Sequence, residues 1–210
     1  MILGIDHLAL SVSSTEKAKN ELEKDGFICS FMEYNVENNA AKKKLLRHYQ
    51  STHDIGFFRP TNGGVPVEIT NHGFIADTFA PYQYLSQYIE IKTSNIQEDI
   101  IFWKKVFKFK QEDSVLKFNS MVPSWSCAVK FLEDKKSPPA MLDSKGYSCL
   151  AFLTSNIEDD TQLAKETGAF DFITPMSLKV NQRQLKVIMF RTPGGAICEL
   201  IQIMTKHRQV

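Results

Sequence analysis

Thr93-Ser94-Asn95-Ile96-Gln97-Glu98-Asp99 returns, 61 positions further on, as Thr154-Ser155-Asn156-Ile157-Glu158-Asp159-Asp160. Each copy follows an alternating apolar run and opens an acidic stretch, so each reads as a strand ending at Thr. A Ser or Asn cap then starts a helix whose first-turn carboxylates complement the helix dipole. Agreement over seven such residues marks an internal repeat, and a repeat governs the reading of the whole chain.

Working outward, the N-terminal run Asp6-His7-Leu8-Ala9-Leu10-Ser11-Val12-Ser13-Ser14 shows the same strand-to-helix corner, with Ser13 three residues before Glu16 as a capping box. After the middle corner, Ile96, Ile100, Trp103 and Phe107 form one apolar helical stripe, the signature of a helix laid on a sheet. A second signature links the first and last copies. Phe58-Arg59 followed by Gly63-Gly64-Val65-Pro66-Val67-Glu68 resembles Phe190-Arg191 followed by Gly194-Gly195-Ala196-Ile197-Cys198-Glu199, each a hairpin closed by a Gly-rich turn. Three units follow, at 1–70, 84–133 and 146–204, each a strand, a helix and three strands. The fold class expected is α+β, with repeated βαβββ modules forming curved, cup-shaped mixed sheets and helices on the outer face. Residues 71–83 and 134–145 are connectors, and the insert 34–52, with Ala40-Ala41-Lys42-Lys43-Lys44, reads as a solvated surface helix.

Composition narrows the function. The chain has 210 residues, 43% of them hydrophobic, which suffices for a sizeable core. Its net charge of +1 leaves no basic stripe for phosphates, so nucleic acid is not an expected partner. No apolar run is long enough for a membrane span and no secretory n-region opens the chain, so the expected place is the cytoplasm. Cys29, Cys127, Cys149 and Cys198 lie far apart with no CxxC pair and read as reduced thiols. His48, His53, His72 and His207 show no metal-ligand spacing, His207 lying in a basic tail, and no phosphate loop or nucleophile elbow occurs.

The repeated βαβββ pattern, the opening Ile5-Asp6-His7-Leu8-Ala9-Leu10 and the acidic residue on the fourth strand resemble the glyoxalase and bleomycin-resistance (vicinal oxygen chelate) superfamily over nearly the whole chain. The resemblance implies paired modules enclosing a cup, with His and Glu from first and fourth strands holding a divalent metal. His7, Glu68 and Glu199 match those positions, while Tyr88, Cys149 and Lys130 depart from them. The implied cofactor is one divalent ion, Zn, Fe, Mn, Co or Ni, with no ion as the alternative.

The residues themselves say part of this. Strand alternation puts His7, Ala9 and Ser11 on the face away from the helix, and Glu68 on the same side, opposite Val65, Val67 and Ile69. An imidazole and two carboxylates suit those ions, and either Glu68 or Glu199 suits proton transfer. Lys130 is placed to pair with Glu68 or Glu199 in place of a cation. Tyr88, Lys130 and Arg59 are substrate-binding candidates, Arg59 and Arg191 through their forked donors. Phe74, Phe79, Tyr82 and Tyr84 either line an apolar pocket or pack modules together. The functions in play are a metal-dependent lyase or isomerase acting on vicinal oxygens, with a dioxygenase less supported, and a metal-free drug or metabolite binder of the bleomycin-resistance type. A third is an assembly role, in which the odd module is covered in a homodimer.

Overall fold

A computed structural model describes residues 1–85, 88–119, 127–136, 138–180 and 183–204. The basic tail with His207 lies outside them. The chain begins with β1 (Ile2–Ser11), α1 (Thr15–Lys24), β2 (Phe27–Glu37), a 3-10 turn (Ala40–Leu45), β3 (Thr52–Pro60) and β4 (Val67–Asn71). Two short strands follow, β5 (Ala76–Phe79) and β6 (Tyr82–Tyr84), where the sequence reads as a plain connector. The same order of strand, helix and three strands then occurs in β7 (Ile89–Thr93), α2 (Ile96–Lys105), β8 (Lys110–Glu112), β9 (Val115–Phe118) and β10 (Cys127–Glu133). It occurs once more in β11 (Ser144–Thr154), α3 (Ile157–Glu166), β12 (Met176–Val180), β13 (Arg183–Arg191) and β14 (Ile197–Met204). The fold is α+β, a large curved, unclosed sheet with few helices. No helix among the described residues is long and apolar enough to cross a membrane.

Strand pairing settles which stretches meet. β1 and β11 run antiparallel along most of their length, from Ile2 opposite Thr154 to Ser11 opposite Gly146. β4 lies parallel on the far side of β1, and β14 parallel on the far side of β11. The centre of the sheet is therefore β4-β1-β11-β14, contributed by the first and last stretches. The middle stretch joins from the side, through β6, which pairs with β7 and touches β11 at Tyr147.

The repeated corner has more internal structure than its spacing suggests. The helix caps are Ser14, Asn95 and Asn156, each accepting from the backbone N–H three residues on, so Ser14 and not Ser13 caps α1. At the last position of the repeat, Asp99 and Asp160 are buried rather than solvated dipole partners. The Thr93 hydroxyl donates to Asp99 over 2.5 Å, and the Thr154 hydroxyl donates to Asp160 in the same way. Asp99 thereby occupies the inward face of α2, which displaces the predicted apolar stripe. Phe102, Trp103, Val106 and Phe107 are fully buried, whereas Ile96 and Ile100 are half-buried. Trp103 is ringed edge-on by Phe107, Phe109, Phe131 and Phe152 in the main core. A smaller core puts Ala18 and Leu22 of α1 on Phe58, Val67 and Ile69.

The insert is a short 3-10 turn rather than a surface helix. Leu45 and Leu46 at its end are buried in the main core, and Leu142 N–H donates to Leu45 O, so the turn is pinned to the second connector. All four cysteines are free thiols.

Candidate functional site

Register explains how three polar side chains from different strands converge. His7 on β1 lies opposite Ala151 on β11, and Ala151 lies beside Glu199 on β14. Residues in register share a sheet face, so His7, Ala151 and Glu199 form a row, with only a methyl group between the two polar side chains. Glu68 sits beside Ala9, on the face His7 shares through two-residue alternation. The His7 Nε2 is 3.7 Å from a Glu68 oxygen and 3.7 Å from a Glu199 oxygen. Both gaps exceed a hydrogen bond yet favour charge attraction. His7 is 3% exposed, and its Nε2 is buried without a hydrogen-bond partner. On the other side of the ring, Nδ1–H donates to Asp6 over 2.8 Å, which fixes the imidazole orientation. Phe57 meets the ring edge-on at 5.8 Å.

These charges act on each other's protonation. Burial opposes a charge on His7, but Glu68, the hydrogen bond and charge of Asp6, and Glu199 together outweigh it and raise its pKa to about 9. Burial pushes Glu199 up to about 7 against the pull of His7, with Glu68 adding repulsion. Two further observations bear on a metal. Cys149, opposite Ala9 on β11, has a thiol that burial and then Glu199 push well above the usual range, which favours its protonated form in the metal-free chain. Among the described residues no group of three His, Cys, Asp or Glu is arranged to hold a metal ion.

The His7 cluster opens into a cavity of about 330 Å³. Phe31 and Phe57, stacked 5.9 Å apart, stand on one side, with Leu178, Val187 and Met189 also on the lining. Lys42, Arg59 and Arg183 reach it as well.

Of the candidates from sequence, His7, Glu68, Glu199 and Arg59 come together here. Tyr88 and Lys130 do not. The Lys130 ammonium lies 5.7 Å over the Tyr88 ring, and neither residue lines the cavity. Lys130 makes no ion pair with Glu68 or Glu199 among the described residues, because β10 pairs with β7 and β9 and lies outside the β4-β1-β11-β14 centre of the sheet. The paired Arg residues also part ways. Arg191 is buried, bonding Asp171 at 3.1 Å and the Ala140 carbonyl, so it ties the hairpin to a connector. Tyr82 donates to Ile197 O and Tyr84 accepts from Val65 N–H, which makes both packing residues. Sequence reasoning missed Lys42 and Arg183. The signal for Lys42 was the Leu45-Leu46 pair closing a polar run, since a fully solvated helix has no use for it. Arg183 had no comparable signal.

No protein-family model matches the chain, and no curated protein matches it. Among solved structures it is similar to glyoxalase I from Zea mays, at 15% identity and a TM-score of 0.40 over 95% of this chain and 67% of that one. It is similar to methylmalonyl-CoA epimerase from Mycobacterium tuberculosis, at 11% identity and a TM-score of 0.46 over 98% and 91%. A putative dioxygenase from Bacillus subtilis aligns at 11% identity and a TM-score of 0.38 over 96% and 63%. The likeness to these glyoxalase, epimerase and dioxygenase structures is one of fold.

Proposed function

We propose that the chain is a glyoxalase-like protein of the vicinal oxygen chelate superfamily, built from three βαβββ modules. In this reading its first and third modules enclose the site of an isomerase or lyase acting on a small molecule with adjacent oxygens. One observation carries the reading: the buried, partnerless Nε2 of His7 faces carboxylates from β4 and β14, at the floor of a cavity sized for a small ligand.

A divalent ion fits this donor set in kind, one imidazole nitrogen and two carboxylates. No trio among the described residues is arranged to hold it as the side chains stand, so His7, Glu68 and Glu199 would have to close up, and His7 give up a ring proton, for the three to hold an ion. When bound, such an ion supplies Lewis acidity to two substrate oxygens. Asp6 keeps the His7 ring aimed at the cavity. Glu199, the more buried of the two carboxylates facing His7, would take a proton from the substrate carbon and return it to the neighbouring position. The aromatic pair Phe31 and Phe57 and the β12–β13 side chains give the substrate an apolar lining beside these groups.

A second reading, a binder working without metal, draws on the raised pKa of His7, whose protonated ring itself neutralises the two carboxylates. Elemental analysis of protein purified without chelator, repeated after incubation with Zn, Mn, Fe, Co and Ni, separates the two. Near-stoichiometric metal in the parent, lost in His7→Ala and Glu68→Ala, is the expected result. No uptake of any of the five ions sinks the metal-dependent enzyme and leaves the binder.

A further inference from the structure

The polar row at His7 continues into an apolar track whose register is fixed by strand pairing. Met189 lies beside Glu199 across β13 and β14. Two residues further along, Val187 lies beside Ile201, and Ile201 beside Leu153 on β11. Two further still, Leu185 lies beside Ile203, with Leu178 of β12 beside Leu185. Residues in register, or two apart along a strand, share a sheet face. These side chains line the same cavity as His7, Glu68 and Glu199. From Glu199 to Ile203 the track measures about 13 Å at the rise of a β-strand. Helix α3 lies against the opposite face, where Lys186 of β13 pairs with Glu158. The far end of the track is left open: Leu178 and Leu185 are half-buried and Ile203 is 41% exposed.

The first copy of the same hairpin shows that the fold does not itself demand aliphatic side chains here. Phe57 beside Glu68 corresponds to Met189 beside Glu199. Two residues along, Ile55 lies beside Thr70, and the next side chains on that face are His53 and His72, their rings stacked 5.2 Å apart. Where the last copy carries Ile201, Ile203 and Leu185, the first thus carries Thr70, His72 and His53. Because β1 and β11 are antiparallel, the two tracks leave the centre in opposite directions. Of the first track beyond Phe57 and Glu68, Ile55 alone reaches the cavity, whereas the aliphatic track lines it throughout. We infer that the cavity takes a substrate with a hydrocarbon chain or other apolar body up to about 13 Å long, laid along β13–β14 with its polar reacting end at His7 and Glu199. The inference rests on the cavity being the functional site proposed above and adds the class of molecule that enters it. Covering the track removes apolar surface of both chain and wall from water, a gain that grows with each methylene covered. Arg183, two residues beyond Leu185 and beside Val180, closes the track with a charge and so limits the length of chain it accepts.

The test is titration of the full chain with 1,2-hexanediol, 1,2-octanediol and 1,2-decanediol, followed through the isoleucine methyl signals by NMR. The three probes share adjacent oxygens at one end and differ in the length of the tail. Each added methylene is expected to tighten binding about threefold, and the Ile203 methyls are expected to shift with decanediol but not with hexanediol. Ile203→Asn and Leu185→Asn, both at the far end of the track, are each expected to weaken decanediol about tenfold and leave hexanediol unchanged. No binding of any diol, affinity independent of tail length, or a length dependence untouched by both variants overturns the inference. Should Leu185→Asn fail to fold, judged by near-ultraviolet circular dichroism, the exposed Ile203→Asn carries the test alone. Zinc titration of the same samples keeps the two readings apart. Tail-dependent binding without metal uptake leaves this inference standing and removes the metal, whereas metal uptake without tail dependence does the reverse.

Discussion

His7→Ala is expected to lower the stability of the metal-free protein by about 3 kcal/mol at pH 7, read from urea unfolding. The variant leaves Glu199, 6% exposed, facing Glu68 with no cation between them. Removing one member of a buried charge cluster strands the others, which costs more than the cluster contributes when intact. The pH dependence carries a sign. His7 titrates near 9 in the folded chain against an ordinary value of 6.5, so its contribution is whole below 6.5 and disappears as pH rises through 9. Glu199 acts in the same sense at lower pH. Raised from 4.5 to about 7, it adds stability at acid pH that is lost through that interval. The gap between parent and His7→Ala should therefore close above about pH 9, and the double variant His7→Ala/Glu199→Gln should recover part of the loss. A gap that widens with pH contradicts the charge arrangement.

How much of this was legible from sequence depends on the range over which each feature is encoded. His7, Glu68 and Glu199 are found from strand alternation and the repeated hairpin, because a two-residue period fixes a face without any knowledge of the partner strand. Which units pair is not encoded locally. It depends on β1 and β11 sharing an antiparallel register across more than a hundred residues, and that register is what separates Tyr88 and Lys130 from the cup. The insert misled for a related reason. Its lysines are helix formers, but the chain closes the turn early to bury Leu45 and Leu46, and packing overrides propensity. The acidic end of the repeat was visible, yet its burial was not, since an Asp in the first turn of a helix, four residues past its cap, ordinarily reads as a solvated dipole partner.

That buried Asp leads to the second large effect. Gly194→Ala is expected to destabilise the protein by about 2–4 kcal/mol, a fall in the thermal midpoint of several degrees. A methyl group at this position lands on the Thr93 hydroxyl and the Asp99 carboxylate, with the Asp99 Cγ at 2.8 Å. Gly194 N–H donates to Asp99 over 3.0 Å and Ser94 N–H donates to Gly194 O, so the turn before β14 is locked to the corner before α2. Gly195, whose Cβ would meet open space, has φ of +93°, and alanine there strains only the local backbone. If Gly194→Ala costs no more than Gly195→Ala, the lock does not hold the middle stretch to the last.

The most direct test of the proposed site is proton release on metal binding, measured by zinc titration in buffers of different ionisation enthalpy near pH 7.5. An ion that takes the Nε2 of His7 has to displace the proton held there, so about one proton should leave per zinc bound in the parent. His7→Ala should bind zinc weakly and lose the tight, proton-releasing phase seen in the parent. Tight zinc binding without proton release, or equally tight binding by His7→Ala, would place the ion elsewhere and contradict the site built from His7, Glu68 and Glu199.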